Sequence, residues 1–182
     1  MNINYGFIHN SQDYYDKKGF VNIETPWLVS QDVIQITKPA DTGKDYKVNH
    51  QKALVASGEQ SFLYLISKGQ LPDGKWQTTT PCFRDEVSFI HRKFFIKNEL
   101  IWLNPVESGG AFIEIIDSAF GFFQEYIKDV ELIQTSSGND IVYKGIELGS
   151  YGIREYMGTT WVYGTGCAEP RLSMALQMVD KC

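Results

Sequence analysis

Cysteine and histidine are scarce in this chain of 182 residues, at three each. Cys82, Cys167 and Cys182 form no Cys-x-x-Cys pair, which argues against a zinc site. Their odd number and wide spacing suit a reducing cytoplasm rather than a disulfide framework. Positive charge is also in short supply. Lys and Arg number 17 against 22 Asp and Glu, a net charge of -5. That balance excludes a broad, non-specific grip on a phosphate backbone and leaves room only for a local basic pocket. The start, "MNINYGFIHNSQDYY", has no charged segment leading into an apolar run, and no stretch is long enough to span a bilayer. Neither a signal peptide nor a membrane is therefore expected. Two phosphate loops are missing as well: no strand leads into G-x-x-x-x-G-K-[ST], and no G-x-G-x-x-G joins a strand to a helix.

What is present is globular. Apolar residues make up 43% and aromatics 14%, enough for a real core in one domain, expected to span residues 1–182. "SQDYYDKK" (11–18) predicts a short helix capped by Ser11 and stopped by Gly19. "GFVNIETPWLVS" reads as a strand broken at Pro26, and residues 31–50 as polar loop. "GEQSFLYLISKG" suits a helix closed by Gly69, while "KWQTTTPCF" and "KFFIKNELIWL" form a hairpin. The longest helix falls in "SGGAFIEIIDSAFGFFQEYIKDV", with Phe112, Ile115, Ile116, Ala119, Phe123 and Ile127 on one core face. A turn at "SSGND" and strands "IVYKGIEL", "YGIREYM" and "WVYGTGC" follow, and Pro170 fits the first position of a last helix. Consecutive strands with short links predict an α+β domain, an antiparallel β-sheet flanked by helices.

The hairpin is unusually charged. Arg84 and Glu86 share one face of their strand, and Phe95 and Glu99 share one face of the next. An aligned hairpin would present a guanidinium fork, a ring and carboxylates together. That set suits an adenosine phosphate: the fork matches phosphate oxygens, the ring stacks on a purine, and a carboxylate takes an amine or Mg2+. A solvated tip with cross-strand ion pairs fits the segment equally well on its own. In "GTGCAEPRL", Gly164, Gly166 and Ala168 are small enough for a ligand to lie flat on the strand, with Arg171 positioned to cover it. A packing glycine pair and a surface arginine is the plainer alternative.

These stretches resemble, in order, the three signature motifs of class II aminoacyl-tRNA synthetases. "GFVNIETPWL" is similar to the first, a strand ending in proline. "FRDE…HRKFFIKNE" is similar to the second, through Phe83, Arg84, Glu86, His91, Phe95 and Glu99. "GTGCAEPRL" is similar to the third, with Pro170 in place of an acidic neighbour. The resemblance implies bound ATP and Mg2+, with Arg84 on the α-phosphate, Glu86 on the adenine, and His91 or Arg92 on the outer phosphates. It places the adenine between Phe95 and Arg171, beside Gly166. It makes Arg84 and Arg171 the catalytic pair and the 19–30 segment the centre of a homodimer.

"DIVYKGIELGSYGIREY" resembles a run in the aspartate, asparagine and lysine subgroup, which implies a metal at Asp140 and Glu147 and a substrate carboxylate at Arg154. The other reading of Arg154 is an ion pair with Glu155 or Glu99. "SGEQ" resembles a loop that holds the substrate's ammonium, with Ser57 and Glu59 as candidates beside Glu99; a helix-first-turn carboxylate is the equal alternative for Glu59. The expected reaction is activation of an amino acid, aspartate or asparagine foremost, as an aminoacyl-adenylate. No anticodon-binding domain is expected, so the acceptor could be the end of a tRNA. "ELGSYGIR" also resembles ammonia-dependent asparagine synthetase, an amide-forming alternative, and a non-catalytic paralogue with a regulatory role is the third.

Overall fold

Strand-forming stretches rich in β-branched and aromatic residues dominate the second half of the chain, and in the computed structural model they join two earlier strands in one seven-stranded sheet. The structure describes residues 2–38, 43–85 and 92–179. The elements are α1 (Tyr5–Asp16), β1 (Val21–Asn22), β2 (Leu28–Ser30), α2 (Gln31–Thr37), β3 (Lys52–Leu54), α3 (Gly58–Ser67) and β4 (Gly74–Phe83). Then come β5 (Phe94–Leu103), α4 (Ser108–Gln124), β6 (Glu131–Thr135), β7 (Gly138–Tyr143), β8 (Ile146–Tyr156), β9 (Thr159–Glu169) and α5 (Arg171–Val179). The sheet order is β1-β4-β5-β9-β8-β7-β6. Every pairing is antiparallel except β1 with β4. The expected α+β sheet backed by helices is the architecture found.

The two sheet faces carry separate cores. On one, α1, α4 and α5 bury Tyr15, Ile115, Phe122, Phe123 and Leu172 against Leu148, Tyr151 and Val162. On the other, α2, α3 and the β2–β3 ribbon bury Ile34, Val55 and Phe62 against Ile101, Leu103 and Trp161. This second layer covers only part of the sheet. No helix among the described residues is long and apolar enough to cross a membrane.

Several local expectations shift. α1 starts at Tyr5, capped by the Asn4 side chain, which accepts from the Gly6 N–H at 2.9 Å. Ser11 is no cap: it is buried mid-helix, donates to the Ile8 carbonyl at 2.8 Å and accepts from Asn98 at 3.1 Å. The stretch read as polar loop holds α2, a seven-residue helix anchored by buried Val33 and Ile34, too short for its periodicity to show. "IVYKGIEL" is not one strand. It turns at Lys144 and Gly145, both at positive φ, and thereby pairs β7 with β8. α4 stops at Gln124, and β6 is an additional edge strand. Gly69, at φ +64°, closes α3 as the sequence predicts, and Ser57, expected only as a substrate contact, is its N-cap.

Candidate active site

Where the second layer leaves the sheet uncovered, β4, β5, β8, β9, α2, α3 and the start of α5 enclose a cavity of about 280 Å³. Among the residues on its wall are Ser57, Glu59, Arg84, Phe95, Glu99, Glu147, Arg154 and Arg171. Eight candidate side chains from five separate stretches therefore meet in one place.

At one end lies Phe95, nearly buried on β5. The Arg84 guanidinium carbon sits 5.1 Å from its ring centroid and that of Arg171 5.7 Å from the same centroid. Arg84 is aimed by a hydrogen bond from Nε to the Ala56 carbonyl, 3.1 Å. Arg171 is aimed by Glu147, whose Oε1 accepts from its Nη1 at 2.5 Å. Burial pushes the Glu147 carboxyl up, but the charge and hydrogen bond of Arg171, with Lys97 and Arg84 further off, hold it below the usual carboxylate range.

At the other end, Glu59 is buried in the first turn of α3. Its Oε2 accepts from Arg154 Nη1 at 2.5 Å and its Oε1 from Trp161 Nε1 at 2.7 Å. Burial raises this carboxyl despite Arg154 and Trp161, and nearby Glu99 pushes the same way. The Arg154 guanidinium lies over the Tyr163 ring, its central carbon 4.3 Å from the centroid. Between the two ends, Glu99 accepts from Ser57 Oγ at 2.6 Å, from Lys97 Nζ at 2.9 Å and from the Gly58 N–H. Burial opposes ionisation of Glu99, yet Lys97, Ser57 and Gly58 together lower its pKa.

The remaining candidates fall elsewhere. Glu86 and His91 lie outside the described residues. Arg92 is exposed and is not on the cavity wall. Gly166 sits at the bulge where β9 slips against β5, and it does not line the cavity. A Cβ there would come 2.8 Å from Tyr15 and 3.1 Å from Asn98. It is glycine so that α1 can pack on the opposite face, not so that a ligand can lie flat on the strand. Arg154 pairs with Glu59, not with Glu155 or Glu99.

Asp140 is half-buried beside Ser150, behind the wall. Burial raises its carboxyl, a hydrogen bond from Ser150 opposes, Glu147 adds repulsion and Arg171 relieves it, so the two acids feel one another. No group of three or more metal-ligating side chains occurs among the described residues. Two neighbouring carboxylates nevertheless fit Mg2+ in the form it most often takes, completed by substrate phosphates and water.

Lys97 and Tyr163 on the wall, and Trp161 beneath Glu59, bear on the site and carried no expectation. Lys97 was legible, since it lies two residues from both Phe95 and Glu99 and so shares their face. The other two were not. Only the β8–β9 register, which sets Arg154 opposite Trp161 and Gly152 opposite Tyr163, delivers them to the site.

No protein-family model matches the chain. Serine–tRNA ligase of Ignicoccus hospitalis is 26% identical over 181 residues, covering 90% of this chain and 38% of its own length. Pyrrolysyl-tRNA synthetase from Desulfitobacterium hafniense superposes with a TM-score of 0.72 at 17% identity, over 97% of this chain and 69% of that one. Seryl-tRNA synthetase from Pyrococcus horikoshii, complexed with ATP, gives 0.73 at 21% identity, over 91% and 48%. The chain thus spans about 31–38% of the length of the serine–tRNA ligases it matches. These relatives are seryl and pyrrolysyl enzymes, not members of the aspartate, asparagine and lysine subgroup that residues 140–156 resemble.

Proposed function

We propose that this class II aminoacyl-tRNA synthetase-like core activates an amino acid with ATP, forming an aminoacyl-adenylate and pyrophosphate for transfer to a tRNA end. The observation that carries this reading is the meeting of Arg84 and Arg171, 87 residues apart in the sequence, over one ring, Phe95. The substrate carboxylate attacks the α-phosphorus, the bond to the bridging oxygen of pyrophosphate breaks, and no protein nucleophile is needed. Catalysis is then positioning and charge compensation.

In this reading adenine stacks on Phe95 beneath Arg171. Two stacking layers of about 3.5 Å each need about 7 Å, whereas Arg171 lies 5.7 Å from the ring centroid. Nucleotide entry therefore lifts Arg171 by roughly 1 Å and loosens its hold on Glu147. Arg84 takes the α-phosphate, Glu86 the adenine amine, and His91 or Arg92 the outer phosphates. Asp140 and Glu147 would hold Mg2+, which would neutralise part of the triphosphate charge.

Glu59 and Ser57 receive the substrate's ammonium. Arg154 bears on the choice of side chain. Glu59 already occupies one of its nitrogens, so a second carboxylate from aspartate would have to compete with a buried partner. That pairing disfavours both the aspartate reading and the asparagine synthetase-like one. A small hydroxyl side chain could accept from the remaining guanidinium N–H groups without displacing Glu59, and the similarity to serine–tRNA ligases supports serine. The intact cavity constellation speaks against a purely regulatory role. Buried, unbonded Cys82 and Cys167 suit the reducing cytoplasm.

ATP–pyrophosphate exchange measured across the twenty amino acids tests the reading. Exchange with serine is expected, and Arg84→Ala should lower it by at least ~10²-fold. Full exchange in Arg84→Ala, or dependence on aspartate, would count against these assignments. A homodimer through residues 19–30 is part of the proposal, supported by the exposure of Val21 (52%) and Trp27 (54%).

A further inference from the structure

Lys97 stands between the two ends of the cavity. β5 is extended from Phe94 to Leu103, so residues 95, 97 and 99 face the cavity at intervals of about 6.7 Å. Phe95 marks the guanidinium end and Glu99 the end where α3 docks. The Lys97 side chain is 12% exposed, lines the cavity, and holds Glu99 at 2.9 Å. Glu99 has other donors besides it. Each carboxylate oxygen has another donor, Ser57 Oγ on one and the Gly58 N–H on the other. An ammonium carries three N–H donors, and Glu99 is the one acceptor bonded to it among the described residues. Its charge is also felt across the cavity, where it helps hold the Glu147 carboxyl down.

We infer that Lys97 is a catalytic cation, whose ammonium bridges the substrate carboxylate and the α-phosphate at the moment they join. The inference rests on the adenylate-forming reading above. Two anions must approach to bonding distance, and their repulsion opposes the step. A cation reaching both lowers that barrier, more so where water is excluded. Lys97 gives up no proton. The carboxylate oxygen forms the new bond to phosphorus, pyrophosphate leaves with the electron pair, and the ammonium stays an ammonium throughout. A merely structural lysine would instead act through Glu99 on the first turn of α3, and so on substrate binding.

Amino-acid-dependent ATP–pyrophosphate exchange separates the two roles. Lys97→Gln keeps a donor toward Glu99 but loses the charge. It should lower kcat by ~10²–10³-fold while KM for ATP and for the amino acid stays within about threefold. Lys97→Arg should recover at least about tenfold of that loss, since it keeps the charge, carried on a planar fork in place of a compact ammonium. The double variant Lys97→Gln/Glu99→Gln, checked for folding by thermal melting, leaves no unpaired buried charge and should show the same low kcat. If Lys97→Gln keeps kcat within about threefold, or raises only the amino-acid KM, the lysine is a tether and the inference is overturned while adenylation stands. If the wild-type protein exchanges with none of the twenty amino acids, the adenylation reading falls and this inference with it.

Discussion

Arg171→Met removes the guanidinium over Phe95 while keeping an apolar stem of similar length. Arg171 is 8% exposed and its partner Glu147 38% exposed. Breaking a fully buried ion pair costs about 3–5 kcal/mol, because the surviving charge is stranded. Glu147 reaches solvent, so screening reduces the cost here to about 1–2 kcal/mol. For a chain of this size that lowers the melting temperature by roughly 2–8 °C. Exchange activity should fall much further, by at least ~10²-fold, since the group also stabilises developing charge. The second substitution decides the issue. Glu147→Gln in the Arg171→Met background removes the stranded charge, so stability should return to within about 0.5 kcal/mol of wild type, while exchange stays low. The pH dependence follows the same pair. The folded-state pKa of Glu147 lies below its unfolded value, so its contribution is present above that unfolded value and is lost as pH falls through the folded one. Arg171→Met should flatten this acid loss. Calorimetric melts from pH 3 to 7 beside exchange assays check both parts. Recovery of exchange in the double variant would refute the idea that Arg171 acts on the nucleotide.

Other consequences are separable. Glu59→Gln should raise the amino-acid KM by at least about tenfold, the scale of one charged hydrogen bond, with less change in the ATP KM; an unchanged amino-acid KM in exchange assays would remove Glu59 from the ammonium site. Gly166→Ala forces a Cβ toward Tyr15 and Asn98, and should cost about 1–3 kcal/mol by urea unfolding with nucleotide affinity little altered; the opposite pattern would restore a ligand-facing role to that glycine. Trp27→Asp places charge on an exposed aromatic in the proposed dimer segment and should shift sedimentation toward monomer. A wild-type protein that is already monomeric at micromolar concentration would dispose of the dimer.

The sequence by itself determined the elements with strong local signals. The β-rich runs of β4 and β5, the apolar stripe of α4 and the Gly69 stop of α3 are short-range patterns that survive folding. It also named eight residues of the cavity wall, because Arg84, Phe95, Glu99 and Arg171 among them sit in recognisable local patterns. Short elements escaped. α2 has too few turns to show a period, and the Lys144–Gly145 turn hides inside what reads as one strand. The β4–β5 hairpin was legible, but pairings between distant segments lay beyond the sequence. That Arg154 would meet Glu59 and Trp161 depends on the β8–β9 register and on where α3 docks. That Gly166 would serve α1 depends on a bulge one residue wide. Local chemistry is written in neighbouring residues, whereas the partner of a buried charge is chosen only when distant segments pack and desolvation makes an unpaired charge too costly to keep.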